Sequence, residues 1–152
     1  MLFRSCDLRP LDPAAAETRL ALRASVWADQ VARLARLDGA LALAARVPAP
    51  LDGASAASWT RERLREPRAG MATILYHSVV EEYLREDERR RFHDELQEAG
   101  ARATREAPLA WLRLEPTSSL RRHSVKLTTW PGGDERLLAT SGAHGAEVRL
   151  AR

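Results

Sequence analysis

At 152 residues, with 45% hydrophobic and 30% charged side chains, the chain has the size and apolar content of one folded domain, not of a disordered tail. Its formal charge of +3 rests on arginine, Lys126 being the sole lysine, and acids are interleaved with the arginines as in Arg85-Glu86-Asp87-Glu88-Arg89, so nucleic acid is not an expected partner. No run approaches the roughly 20 apolar residues that span a bilayer, and Cys6 stands alone, which excludes an internal disulfide and sets the cytoplasm as the expected compartment.

In chain order, Leu2 to Asp7 reads as a short strand leading into a turn at Pro10 and Pro13. Ala14 to Ala45 is helical by pattern: Leu20, Ala24, Trp27, Val31 and Leu34 step by four and three, which places them on one face for core packing. Asp38-Gly39 interrupts that stripe, leaving one long helix or two shorter ones open, and Val47-Pro48-Ala49-Pro50 ends the segment. Ser55 or Ser58 is a candidate cap for a short helix carrying Trp59 and Leu64, stopped by Pro67.

Met71 to Val80 is mostly apolar without alternation, as expected of a strand covered on both faces. Glu86 to Ala99 is the clearest helix, with Phe92 and Leu96 one turn apart, acids in its first turn and Gly100 as a stop. From Pro108 to Glu115 the period is two. Ala110, Leu112 and Leu114 face one way, and Trp111, Arg113 and Glu115 the other. Strand, helix, strand predicts a crossover unit. After a polar loop at Thr117 to His123, three more strands are expected at Ser124–Trp130, Glu135–Ser141 and Ala146–Leu150. The connections Pro131-Gly132-Gly133-Asp134 and Gly142-Ala143-His144-Gly145 suit antiparallel neighbours. The expectation is one domain, mainly helical over 1–70 and β-α-β plus meander over 71–152.

No glycine loop for a dinucleotide or a nucleoside triphosphate is present, and Gly132-Gly133 lies between strands. His77, His93, His123 and His144 are scattered without a metal-binding spacing, so no metal is expected, and His93-Asp94 reads as surface. His77 and Ser78 are neighbours on a strand and point to opposite faces, which separates a nucleophile from its base. One location keeps a physical argument. Ligands of open parallel sheets bind at the carboxyl ends of the strands, and there His77, Ser78, Glu81 and Glu115 are the polar candidates. The alternative is that His77 and Ser78 satisfy local backbone and Glu81 begins a helix.

Several phrases occur together: Cys6-Asp7-Leu8-Arg9-Pro10-Leu11-Asp12, Val26-Trp27-Ala28-Asp29-Gln30, Tyr76-His77-Ser78-Val79-Val80, Pro108 to Pro116, Leu127-Thr128-Thr129-Trp130-Pro131-Gly132-Gly133 and His144-Gly145. In this order they resemble the later half of an uncharacterised bacterial family, domain of unknown function 2332. Its full members look like diverged S-adenosylmethionine-dependent methyltransferases. The chain departs from the family's pattern at Trp27-Ala28, usually Trp-Pro, at Ala54-Ser55, usually Gly-Asp, and at Glu81 or Glu82, where an aromatic is usual.

The resemblance implies a partial Rossmann-like, methyltransferase-like α/β sheet whose cofactor-gripping strand and loop belong to the family's earlier half. Of the cofactor-binding groups only Asp7 would be represented, and one carboxylate without the loop cannot position a methyl donor. The functions to be weighed are therefore a methyltransferase-like remnant or subunit inactive alone, a self-associating or protein-interaction module, and a small hydrolase using His77 and Ser78. A homodimer or a partner chain completing the sheet is the expected assembly.

Overall fold

A computed structural model describes residues 3–47, 49–117, 122–142, 145 and 147–151. The chain is mixed α/β and falls into two compact units, Met1–Ala56 and Ala57–Arg152.

In the first unit, strands β1 (Ser5–Asp7) and β2 (Leu51–Gly53) pair in parallel, with helices α1 (Ala16–Ala24) and α2 (Val31–Arg46) between them in the chain. Arg4 ties the pair together by an ion pair of 2.6 Å to Asp52. The helical segment is two helices, but the break falls at Ser25–Gln30 and not at Asp38-Gly39. The Ser25 N–H and Oγ both bond the carbonyl of Ala21, giving the chain a local alternative to another helical turn. Asp38 stays helical and pairs with Arg23 of α1. The stripe expected to pack a core is consequently split: Leu20, Trp27 and Val31 are 70% or more exposed.

The second unit is built on a five-stranded mixed sheet, β3 (Thr73–Ser78), β4 (Leu109–Pro116), β5 (His123–Trp130), β6 (Asp134–Ser141) and β7 (Arg149–Leu150), ordered as numbered. β3 and β4 are parallel and joined through α4 (Glu86–Arg102), while β4 to β7 form an antiparallel meander. The crossover unit and the meander thus match the sequence reading. β7 is shorter than expected, and Ser118 to Arg121, Ala143, His144 and Ala146 lie outside the described residues.

α4 runs two residues beyond Gly100, which is no stop. Glycine stands there because the indole of Trp130 occupies the space that a Cβ would need. Phe92, Leu96 and Ala99 of α4, with Leu75, Leu109, Trp111 and Trp130 of the sheet, are among the buried apolar residues of this unit's core. α3 (Ala56–Arg63) is held by α4: Glu88 accepts the Ala57 N–H at 2.9 Å, and buried Glu95 pairs with Arg61 at 2.5 Å.

The cross-strand register puts Thr73, Leu75 and His77 on the same face as Leu109, Trp111 and Arg113. Phe92 of α4 packs on that face, against Trp111 and His77. The other face of β3 is not covered as expected, since Ile74 is 66% and Tyr76 61% exposed.

Candidate functional site

The carboxyl ends of β3 and β4 bring three of the four predicted site residues together. His77 and Glu115 are the penultimate residues of the two parallel strands, and Glu81 opens the 3₁₀ turn Glu81–Tyr83 that follows β3. His77 donates from Nδ1 to Oε1 of Glu115 at 2.8 Å, and the same oxygen accepts the N–H groups of Val80 at 3.0 Å and Glu81 at 3.4 Å. The indole Nε1–H of Trp111 donates to Nε2 of His77 at 2.9 Å. Both imidazole nitrogens are therefore bonded, which fixes the neutral Nδ1–H tautomer. Burial pushes the His77 imidazole below its ordinary 6.5, outweighing the Glu115 carboxylate that pulls it upward.

Three donors on one carboxylate oxygen require the backbone to fold sharply past the end of β3. Val79 absorbs that bend with φ of 51°, a conformation a β-branched residue adopts rarely and at a cost of about 1–3 kcal/mol. It persists because the Val79 N–H is held by the Leu114 carbonyl at 2.8 Å on one side and Glu115 holds the next two amides on the other.

His93 of α4 adds a fourth group that the sequence reading had assigned to the surface. Its Nε2 lies 3.2 Å from Oε2 of Glu81, within ion-pair range but without a well-formed hydrogen bond. This imidazole holds the Glu81 carboxyl below its usual range. Glu81 also approaches Nε2 of His77, at 3.7 Å. Oε2 of Glu115 is buried and has no hydrogen-bond partner among the described residues. Beside this cluster, buried Arg113 lies over the Trp111 ring at 3.8 Å, donates to Thr128 at 3.1 Å and pairs with Glu135.

Ser78 does not join the site: it is exposed, on the strand face opposite to His77. Asp7 ends β1, where its Oδ1 accepts the Arg9 N–H at 2.7 Å, an ordinary turn bond. His123 opens β5, paired in register with Pro116 and Ser141. His144 lies outside the described residues. Trp111 and Arg113 carry no site role in the sequence reading, which places His93 at the surface, though the period-two pattern puts Trp111 and Arg113 on one face with Glu115.

The match to one bacterial family, described as "Uncharacterized protein conserved in bacteria", runs over residues 3–149. The chain belongs to the DUF2332 family. No curated protein and no solved structure matches this DUF2332 chain. Among its described residues no helix is long and apolar enough to cross a membrane.

Proposed function

We propose that this DUF2332 chain is a methyltransferase-like module that works as a component, its sheet continued beyond β3 by a strand from another polypeptide. It contributes the polar pocket at the carboxyl ends of β3 and β4, while the methyl donor S-adenosylmethionine is gripped elsewhere in the assembly. The observation that carries this reading is the outer edge of β3, to which no strand pairs among the described residues. The odd residues bond to β4, as in Thr73 N–H to Pro108 O and Val79 N–H to Leu114 O. The even residues Ile74, Tyr76 and Ser78 turn their backbone groups away from it, and all three side chains are exposed. A parallel outer strand with apolar, exposed side chains is a site for strand addition.

The parallel crossover unit, the antiparallel strands after it and the acid that ends β1 support the methyltransferase-like reading. The described residues hold no strand followed by a glycine loop that leads into a helix, so Asp7 alone is left on the cofactor side. Calorimetric titration of the chain with S-adenosylmethionine tests this. No heat is expected up to about 1 mM, and micromolar binding by the chain unaided would overturn the reading.

Exposed Ile74 and Tyr76 favour a second reading, in which the added strand comes from a second copy of the chain. Sedimentation velocity separates the two. A dimer that Ile74→Lys dissociates supports the copy, and a monomer at all concentrations leaves the other polypeptide.

A further inference from the structure

The cluster at the ends of β3 and β4 has a donor set whose chemistry goes beyond the methyltransferase-like reading and does not rest on it. His77 and Glu81 at the end of β3 and Glu115 at the end of β4 each offer a ligand atom within 4.8 Å of the other two. His93 reaches in from α4, 3.2 Å from Glu81. Two imidazoles and the Glu81 carboxylate are a mixed nitrogen and oxygen set. That composition suits zinc and its neighbours, whereas calcium and magnesium favour oxygen ligands alone.

The surroundings are those a metal site needs. Oε1 of Glu115 orients His77 through its Nδ1–H, the outer-shell contact that commonly fixes a ligating histidine with its Nε2 lone pair forward. Glu115 itself is fixed by the Val80 and Glu81 amides, and Nε2 of His93 is buried without a hydrogen-bond partner among the described residues. A buried imidazole nitrogen beside a carboxylate but without a hydrogen bond calls for an explanation, and a cation supplies one. The strained Val79 is the third sign, because it is the bend there that delivers Glu81 to the cluster. The indole N–H of Trp111 is bonded to the Nε2 lone pair of His77. A metal ion would take that lone pair and leave the indole to turn aside.

We infer that His77 through Nε2, with Glu81 and His93, forms a binding site for a divalent transition-metal ion of the zinc class, Glu115 serving as the outer-shell partner of the His77 Nδ1–H. Binding forms metal–nitrogen and metal–oxygen bonds, breaks the Trp111–His77 hydrogen bond and changes no oxidation state.

The test is calorimetry of the tag-free full chain, stripped with chelator, titrated with zinc chloride and separately with calcium chloride. One zinc per chain at micromolar affinity or tighter is expected, with no calcium heat. Cobalt(II) in the same site should give the visible absorption of a low-coordinate nitrogen and oxygen complex. Glu81→Gln and His93→Ala, both partly exposed positions that the fold should tolerate, should each weaken zinc upwards of about tenfold, and the double variant about 100-fold. Cys6→Ser and His144→Ala should leave it unchanged. A folded wild-type chain that gives no heat up to about 100 µM zinc overturns the inference. So does stoichiometric binding that Glu81→Gln and His93→Ala leave intact, or that Cys6→Ser or His144→Ala abolishes. The wild-type titration decides even if a variant fails to fold.

Discussion

Trp111 and His77 are locked together by a hydrogen bond of 2.9 Å from the indole nitrogen to Nε2 of the imidazole. It makes the histidine an acceptor on one side while Glu115 makes it a donor on the other. Protonating Nε2 would set two N–H groups against each other in a buried place. The bond thus reinforces what burial alone does to this side chain.

Stability in metal-free buffer should therefore fall on mild acidification. The folded imidazole titrates below the ordinary 6.5, so as the pH drops through 6.5 the unfolded chain takes up a proton that the folded chain resists. The stability is full above 6.5 and is lost from there down to the folded pKa, with a slope of at most about 1.4 kcal/mol per pH unit for this one proton. Glu81, held below its ordinary 4.5, adds a second loss as the pH falls below 4.5 toward its own folded pKa. Urea midpoints between pH 7.5 and 5 check the first window, and His77→Gln should flatten it. An equally steep fall in that variant would assign the effect to another group.

Trp111→Phe should raise the pKa of His77. It keeps most of the apolar ring and deletes only the donor, freeing Nε2 to accept a proton next to two carboxylates. The cost in stability should be about 0.5–1.5 kcal/mol for the lost hydrogen bond. Long-range ¹H–¹⁵N spectra across a pH titration report the imidazole directly, and an unmoved midpoint would show that the indole bond does not hold the tautomer.

Two glycines inside helices should respond with opposite signs. At Gly100 of α4 an added Cβ would sit 2.7 Å from Cδ1 of Trp130 and closer still to its Nε1. Gly100→Ala should cost about 1–3 kcal/mol from overpacking, only partly offset by roughly 1 kcal/mol of helix propensity. At Gly39 of α2 a Cβ meets nothing within 4 Å, so Gly39→Ala should stabilise by about 0.5–1 kcal/mol. Thermal melts of the two variants side by side are sufficient.

Ser78→Ala should change neither stability, beyond about 0.5 kcal/mol, nor any ester turnover the chain displays. Ser78 is exposed and lies across the sheet from His77, so it has no base to activate it. A panel of ester substrates run on both proteins checks this. Activity that disappears with the hydroxyl would restore a hydrolase reading.

Much of the second unit can be read from residue order. Period two across Pro108 to Glu115, the Phe92–Leu96 stripe and the glycine-bearing turn at Pro131 to Asp134 each encode their element locally, so the β3–α4–β4 crossover and the meander follow. The convergence of His77, Glu81 and Glu115 follows too, because a topological rule places polar residues at the carboxyl ends of parallel strands. β2 is not legible: three residues between Pro50 and Ala54 have no periodicity to show, and its pairing with β1 is a long-range fact. The helix break at Ser25 hangs on side-chain to backbone bonding, which apolar spacing does not record. His93 is hidden for a related reason. A charged helix face carries no mark of the acid, Glu81, that another segment brings against it.

The open edge of β3 is the claim on which the functional account stands, and amide hydrogen exchange of the monomeric chain addresses it residue by residue. The account predicts alternation, with Thr73, Leu75, His77 and Val79 protected by β4 and Ile74, Tyr76 and Ser78 exchanging fast. Uniform protection along β3, in protein that sediments as a monomer, would mean that the edge is already paired and would contradict it.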